Sequence, residues 1–267
     1  MFKVPSDMMT ILSQDLWYGT LKSVLAPIVK RTLINTTVEG LENIPTSGPA
    51  LLVPNHRTMT DPFILSAEVP RRIHWVVAGF MSRLPVTREM IRSTGNIVLP
   101  VSTGGRSQEL MRKAKRLLLR GRLVGVFPEG VDNFVNGSAP GTISPFHSSF
   151  ARLLMQMKIP DLPVVPIAIT GEEEQVLLRV PGTVLQALDP GNKSWEQREV
   201  LGTVYREAHI RIGKPMVFDN FYDLPAEREE EGVRRIVEVV REDIIRLTKR
   251  KPVKKRMTGP LFDETDY

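Results

Sequence analysis

His56 and Asp61 stand five residues apart, directly after a short apolar run, Leu51-Leu52-Val53-Pro54. A carboxylate beside an imidazole fixes its tautomer and stabilises its protonated form, which is what a general base requires. On one continuous helix a spacing of five turns two side chains about 140° apart, so a loop is the geometry that lets them meet. The apolar run reads as a buried strand that delivers Asn55-His56 to the rim of a sheet. Asp61-Pro62 reads as a helix start, with Asp at the N-cap and Pro at the first helical position. The segment is therefore expected to be a tight loop pinned at both ends. A second junction has the same form: Leu123-Val124-Gly125-Val126-Phe127 reads as a buried strand that runs into Pro128-Glu129-Gly130 and brings an acid to a strand end.

The rest of the chain must supply the sheet. Ile73 to Ala78 is a buried strand with His74 inside it, which makes His74 structural. Gly95 to Val101, bounded by Gly and Pro, is another strand. Residues 107 to 120 form an amphipathic helix, with Leu110, Ala114, Leu117 and Leu118 on one side and Arg112, Lys113, Arg116 and Arg120 on a solvated face. Pro163 to Ile169 is a strand whose internal prolines point to an edge or a bulge. His209 to Gly213 is the last strand, and residues 227 to 247 form a charged helix whose Val233, Ile236, Val240, Ile244 and Leu247 pack onto the domain. Strands alternating with helices predict an α/β fold: a single domain with a mixed, largely parallel sheet flanked by helices.

Three parts follow from this reading. Residues 1–35 form an N-terminal amphipathic helical segment, residues 36–248 the main domain, and residues 249–267 a basic and then acidic tail. Met8, Met9, Leu12, Leu16, Trp17 and Leu21 give the first part a helical apolar face flanked by Lys3, Lys22, Lys30 and Arg31. Two readings fit it: a helix packed on the core, or an interfacial helix in a lipid headgroup layer. The tail carries six basic residues between Lys249 and Arg256, which suit a solvated segment or contact with anionic lipid.

With 267 residues, 42% of them hydrophobic, the chain can bury a substantial core. Its net charge of +6 favours anionic partners such as membrane lipid. The absence of cysteine excludes disulfides, thiolate metal sites and a cysteine nucleophile. No metal and no cofactor is expected. No segment approaches the roughly 20 apolar residues of a spanning helix, and Asp7 and Asp15 interrupt any signal-peptide pattern. The expectation is a cytoplasmic protein peripheral to a membrane. Nucleic acid is not an expected partner, since no aromatic platform accompanies the basic run.

The two junctions together resemble the glycerolipid acyltransferase family typified by lysophosphatidic acid acyltransferases. Its signature of His, four residues and Asp is matched by His56 to Asp61, preceded by Asn55, and its Phe-Pro-Glu-Gly block by Phe127-Pro128-Glu129-Gly130. The lead-in Val38 to Pro45, the strand Val164 to Ile169 and Gly213-Lys214-Pro215 also look like the family's, so the resemblance runs from about residue 38 to 216. It implies transfer of a fatty acyl group from acyl-CoA or acyl carrier protein to a lipid hydroxyl, with a lysophospholipid as acceptor. By the same resemblance His56 is the general base, Asp61 its orienter, and Asn55, Arg57, Phe127, Pro128, Glu129 and Gly130 line the substrate site. No acyl-enzyme is expected, because the chain has neither Cys nor a Gly-x-Ser-x-Gly elbow.

The sequence departs from the family where arginines are associated with the acceptor's phosphate: Val101 and Val131-Asp132 occupy those positions. Arg106 and Arg57 are the candidate substitutes, and His147, where the family often has Lys, is a candidate headgroup contact. Two further hypotheses follow: the same chemistry on a lipid alcohol without phosphate, and a lipid-binding protein whose catalytic site has decayed.

Overall fold

The structure, a computed structural model, describes residues 35–83, 88, 91–92, 94–99, 107–130, 133, 142–172, 174–188, 195 and 199–249. All but the last residue of the N-terminal segment, Arg106, Val101, Val131-Asp132 and all but the first residue of the basic and acidic tail lie outside them, and that last residue, Asn35, opens a strand.

Strands β1 (Asn35–Glu39), β2 (Ala50–Pro54), β3 (Ile73–Val77), β4 (Ile97–Val98), β5 (Leu123–Gly125), β6 (Val164–Glu172) and β9 (Glu207–Ile212) form a seven-stranded sheet in the order β1-β9-β6-β2-β5-β3-β4. β6 and β9 pair antiparallel and the other neighbours pair parallel. This is the mixed, largely parallel α/β sheet the sequence predicts. β7 (Gln175–Pro181) and β8 (Glu199–Val204) form a separate antiparallel pair that periodicity does not announce.

All five residues of β2 are buried, which requires cover on both faces. Leu51, Val53 and Val124 face α2 (Ser107–Leu119), α3 (Ser149–Met157) and α5 (Glu229–Thr248) in one core. Leu52, Leu123, Val165 and Ile167 face α1 (Asp61–Glu68) and Tyr205 in the other. The apolar stripe of α5 puts Val233, Ile236, Val240 and Ile244 fully inside, while its first turn carries Glu229, Glu230 and Glu231, where acids complement the helix dipole.

Two expectations are corrected. β6 is not an edge strand: it lies between β9 and β2. Pro166 is tolerated there because its missing N–H faces the turn at 213–215, between the Val164 and Met216 bridge and the Ile167 and Ile212 pair, where the ladder is already interrupted. Its carbonyl still accepts from Gly213 N at 2.8 Å. The helix start is also displaced by one residue, since Thr60 is the N-cap of α1 and Asp61 lies in its first turn. The carboxylate of Asp61 is spent on the preceding loop and makes no N-cap bond.

Gly125 makes room for an aromatic side chain. A Cβ there would lie 2.3 Å from two ring atoms of Trp75, its partner on β3. Gly125→Ala is therefore expected to destabilise the protein by about 1–3 kcal/mol, the usual cost of overpacking a core. Chemical denaturation of the variant beside the parent measures it, with an unchanged m-value as the control.

Candidate active site

β2 and β5 are parallel neighbours with Leu52 opposite Gly125, so the segments that follow them leave the sheet side by side at its carboxyl end. That adjacency brings the two junctions together. His56 Nδ1 lies 2.9 Å from Asp61 Oδ2. The same carboxylate oxygen accepts the backbone N–H of Arg57 at 2.6 Å and of Thr58 at 2.9 Å, and Oδ1 accepts the Thr58 hydroxyl at 3.0 Å. Asp61 is completely buried, so these donors replace the water its charge has lost. With Nδ1 protonated toward Asp61, the basic nitrogen of the neutral ring is Nε2.

Glu129 is also completely buried. Its Oε1 accepts the His56 backbone N–H at 2.8 Å, and its Oε2 accepts Asn133 Nδ2 and Ser144 N, each at 2.6 Å. Burial pushes its carboxyl above the ordinary range, and the donated hydrogen bonds and nearby His56 only partly counter this. Asn133 Nδ2 also reaches the His56 carbonyl at 2.8 Å. The imidazole stacks on Phe127 at 4.0 Å between ring centroids, and Phe127 stacks on Trp75 at 4.8 Å. The imidazole is thus held by a carboxylate at its edge and an aromatic ring on one face, with a buried acid at the His56 backbone.

The chain matches the model of the Acyltransferase family over residues 35–170, just over half of its 267 residues. It belongs to the acyltransferase family.

The fold of this acyltransferase-family chain is that of the 1-acyl-sn-glycerophosphate (LPA) acyltransferase PlsC from Thermotoga maritima. The two superpose with a TM-score of 0.58 at 20% identity, over 90% of this chain and 83% of the other. An uncharacterized protein of Mycobacterium leprae is 32% identical over 119 residues, 40% of this chain and 30% of that protein. Another, of Mycobacterium tuberculosis, is 28% identical over 165 residues, 57% of this chain and 42% of that protein. The matched regions thus span less than half the length of these curated relatives.

Within the acyltransferase domain, several residues grouped by sequence with the substrate site have their polar atoms engaged by the protein. The Asn55 side chain gives Nδ2 to Ile169 O at 3.0 Å and takes Ile169 N at 2.6 Å, so it extends the β2 and β6 ladder by one rung and fixes where the loop begins. Arg57 turns its guanidinium to Glu174, Nε to Oε1 at 2.8 Å and Nη2 to Oε2 at 2.9 Å. Burial alone opposes that charge, and the Glu174 hydrogen bond and charge outweigh it, raising Arg57 above its ordinary value. Glu129 holds two backbone N–H groups, of His56 and Ser144, and the Asn133 side-chain amide, and presents no exposed oxygen edge. Gly130 adopts a left-handed φ of 60°, with His147 Cδ2 and Nε2 3.4 Å from where a Cβ would stand. His147 N donates to Pro128 O at 2.8 Å, which places His147 beside the Phe127-Pro128-Glu129-Gly130 turn.

Thr58, Trp75, Asn133, Ser144, Glu174 and Tyr205 belong to this neighbourhood without any signal of type or spacing that singles them out. Glu174 is 117 positions from Arg57, inside a run of three glutamates. Side chains of metal-ligating type come together elsewhere, among the described residues, in Glu172, Glu207 and His209, one ligand atom each within 4.8 Å. They sit on the β6 and β9 ladder, with both glutamates exposed and His209 Nδ1 bound to Thr37 Oγ1 at 2.5 Å.

Proposed function

We propose that this chain moves a fatty acyl group from a thioester, acyl-CoA or acyl carrier protein, to the hydroxyl of a lysophospholipid of the 1-acylglycerol-3-phosphate type. His56 Nε2 takes the proton of the acceptor hydroxyl as that oxygen attacks the thioester carbonyl. The carbon–sulfur bond then breaks, and the proton passes from the imidazolium to the departing thiolate. Asp61 keeps the imidazole in the tautomer with Nδ1 protonated and stabilises the imidazolium that forms. The observation that carries the reading is the 2.9 Å contact between His56 Nδ1 and a fully buried Asp61 in a chain of the acyltransferase family. Among the described residues no helix is long and apolar enough to cross a membrane. The reading places the enzyme peripherally at a lipid surface, with residues 1–35 and the basic run of the tail as the contacts.

A second reading keeps the chemistry and changes the acceptor to a lipid alcohol without phosphate. It is favoured by the guanidinium of Arg57, whose fork is held by Glu174.

A donor-by-acceptor matrix tests both. Purified protein is given acyl-CoA or acyl carrier protein thioesters of several chain lengths, with lysophosphatidic acid, other lysophospholipids and monoacylglycerol. Esterification of lysophosphatidic acid is the result expected from the first reading, and esterification confined to monoacylglycerol from the second. Lipid binding without transfer to any acceptor overturns both.

A further inference from the structure

Arg57 follows His56 directly, and its backbone N–H is bound to Asp61, so its charge stands beside the pair that does the proposed chemistry. An uncompensated cation there would draw on the Asp61 charge that serves His56. Glu174, at the turn between β6 and β7, meets it with both carboxylate oxygens, and the two side chains are only 10% and 14% exposed. A fork-on-carboxylate pair at this burial is a charge-neutral unit with fixed geometry. Tyr205, in the turn between β8 and β9, closes the other side. Its ring occupies the place of a side chain at Gly171, where a Cβ would come within 1.7 Å of it. The buried Tyr205 hydroxyl approaches Asp61 and Thr58 without completing a hydrogen bond. Burial and the negative charges of Asp61 and Glu174 drive its ionisation well above the ordinary range, so it stays a neutral phenol. Among the charged and titratable groups of the described residues, Asp61 meets the imidazole Nδ1 and Glu129 the His56 backbone N–H, while Arg57, paired with Glu174, and Tyr205 carry their influence to Asp61. Glu174 and Tyr205 come from beyond residue 170, where the match to the family ends.

We propose that Glu174 is a positioning residue for the His56 and Asp61 pair: by neutralising Arg57 it leaves the Asp61 charge to the imidazole and ties the motif loop to the segment after β6. The proposal rests on His56 acting as base. It extends the working site to a residue 118 positions further along the chain.

The sign of the effect follows from the charges. Glu174→Gln keeps a hydrogen-bonding side chain of the same size but leaves Arg57 uncompensated. Added positive charge disfavours imidazolium, so His56 titrates at lower pH than in the parent. Arg57→Gln removes the cation and leaves Glu174 negative, so His56 titrates at higher pH. The double variant restores the parental midpoint. Each single shift is expected to be about half a pH unit or more, as for one charge acting within roughly 10 Å at the effective permittivity of a protein surface.

Solution NMR of the full chain with isotope-labelled histidine reads this without turnover. The chain has four histidines, and His56→Gln identifies the signal. Opposite shifts in the single variants and cancellation in the double variant support the proposal. An unmoved midpoint in Glu174→Gln, or shifts of the same sign in both single variants, overturns it. Where Arg57→Gln does not fold, Glu174→Gln and Glu174→Asp decide: the first must shift the midpoint down and the second must leave it near the parental value. Acyl transfer assayed on the same samples separates the two ideas. Absent transfer by the parent sinks the function, while an unmoved midpoint sinks the role of Glu174.

Discussion

Replacing His56 with Ala is expected to lower acyl transfer by about 10²–10⁴-fold, the usual contribution of a positioned general base, while the protein stays folded. The loss follows from position: no other group holds a basic nitrogen against Asp61 at the mouth of the β2 and β5 junction among the described residues. The fold survives because the imidazole stands at the end of β2, outside the two cores, and its loss removes only its stacking on Phe127 at the margin of one of them. Asp61 keeps the Arg57 and Thr58 amides and the Thr58 hydroxyl when the imidazole is gone. The comparison needs kcat and KM for the best donor and acceptor pair, with circular dichroism and a melting curve as folding controls. Near-normal turnover by His56→Ala would sink the mechanism. A fall in turnover with an unchanged KM would place the loss in the chemical step.

Glu129→Gln is the second large effect expected, and it acts through the shape of the site. All three partners of the carboxylate are donors: His56 N, Asn133 Nδ2 and Ser144 N. A glutamine has one acceptor oxygen and one amino group, so at least one buried N–H would face another N–H. Leaving such a group unsatisfied costs about 1–3 kcal/mol. Because one of those donors is the His56 backbone, turnover should fall along with the melting temperature. There is also a pH signature. Burial raises the Glu129 carboxyl above its unfolded value, so the folded state holds the proton more tightly. Its contribution is fully present below the unfolded value and is lost as pH rises through the folded value. The glutamine variant has no such proton to lose. The stability difference between parent and variant, measured by denaturation from about pH 4 upward, should therefore narrow as pH rises. A difference that is flat or widens would show that Glu129 does not carry a raised carboxyl.

These effects depend on two kinds of information. Local pattern gives the strand that ends at Asn55-His56, the loop to Asp61 and the strand that ends at Phe127-Pro128-Glu129, because alternating or continuous apolar character and the turn preferences of Pro, Gly and Asp are properties of neighbouring residues. The long amphipathic helices are legible for the same reason: the predicted 107 to 120 and 227 to 247 appear as Ser107–Leu119 and Glu229–Thr248. β7, β8 and the short α4 (Gly182–Leu188) carry no comparable signal, since that excursion buries only a small cluster around Leu185, Trp195 and Val200.

Apolar pattern alone establishes that β2 and β5 are buried strands, and the residue types establish that an imidazole and two acids stand at their ends. Only the tertiary structure makes those strands neighbours and decides how each charge is satisfied. It turns Asn55 into a rung of the sheet, gives Glu129 to three donors, seats Pro166 at a gap in an interior ladder and locks Arg57 to a glutamate 117 positions away. The physical reason is that hydrophobic periodicity reports which face of a segment avoids water. The partner of a buried charge is set by contacts between distant segments, and these exist only once the sheet has formed.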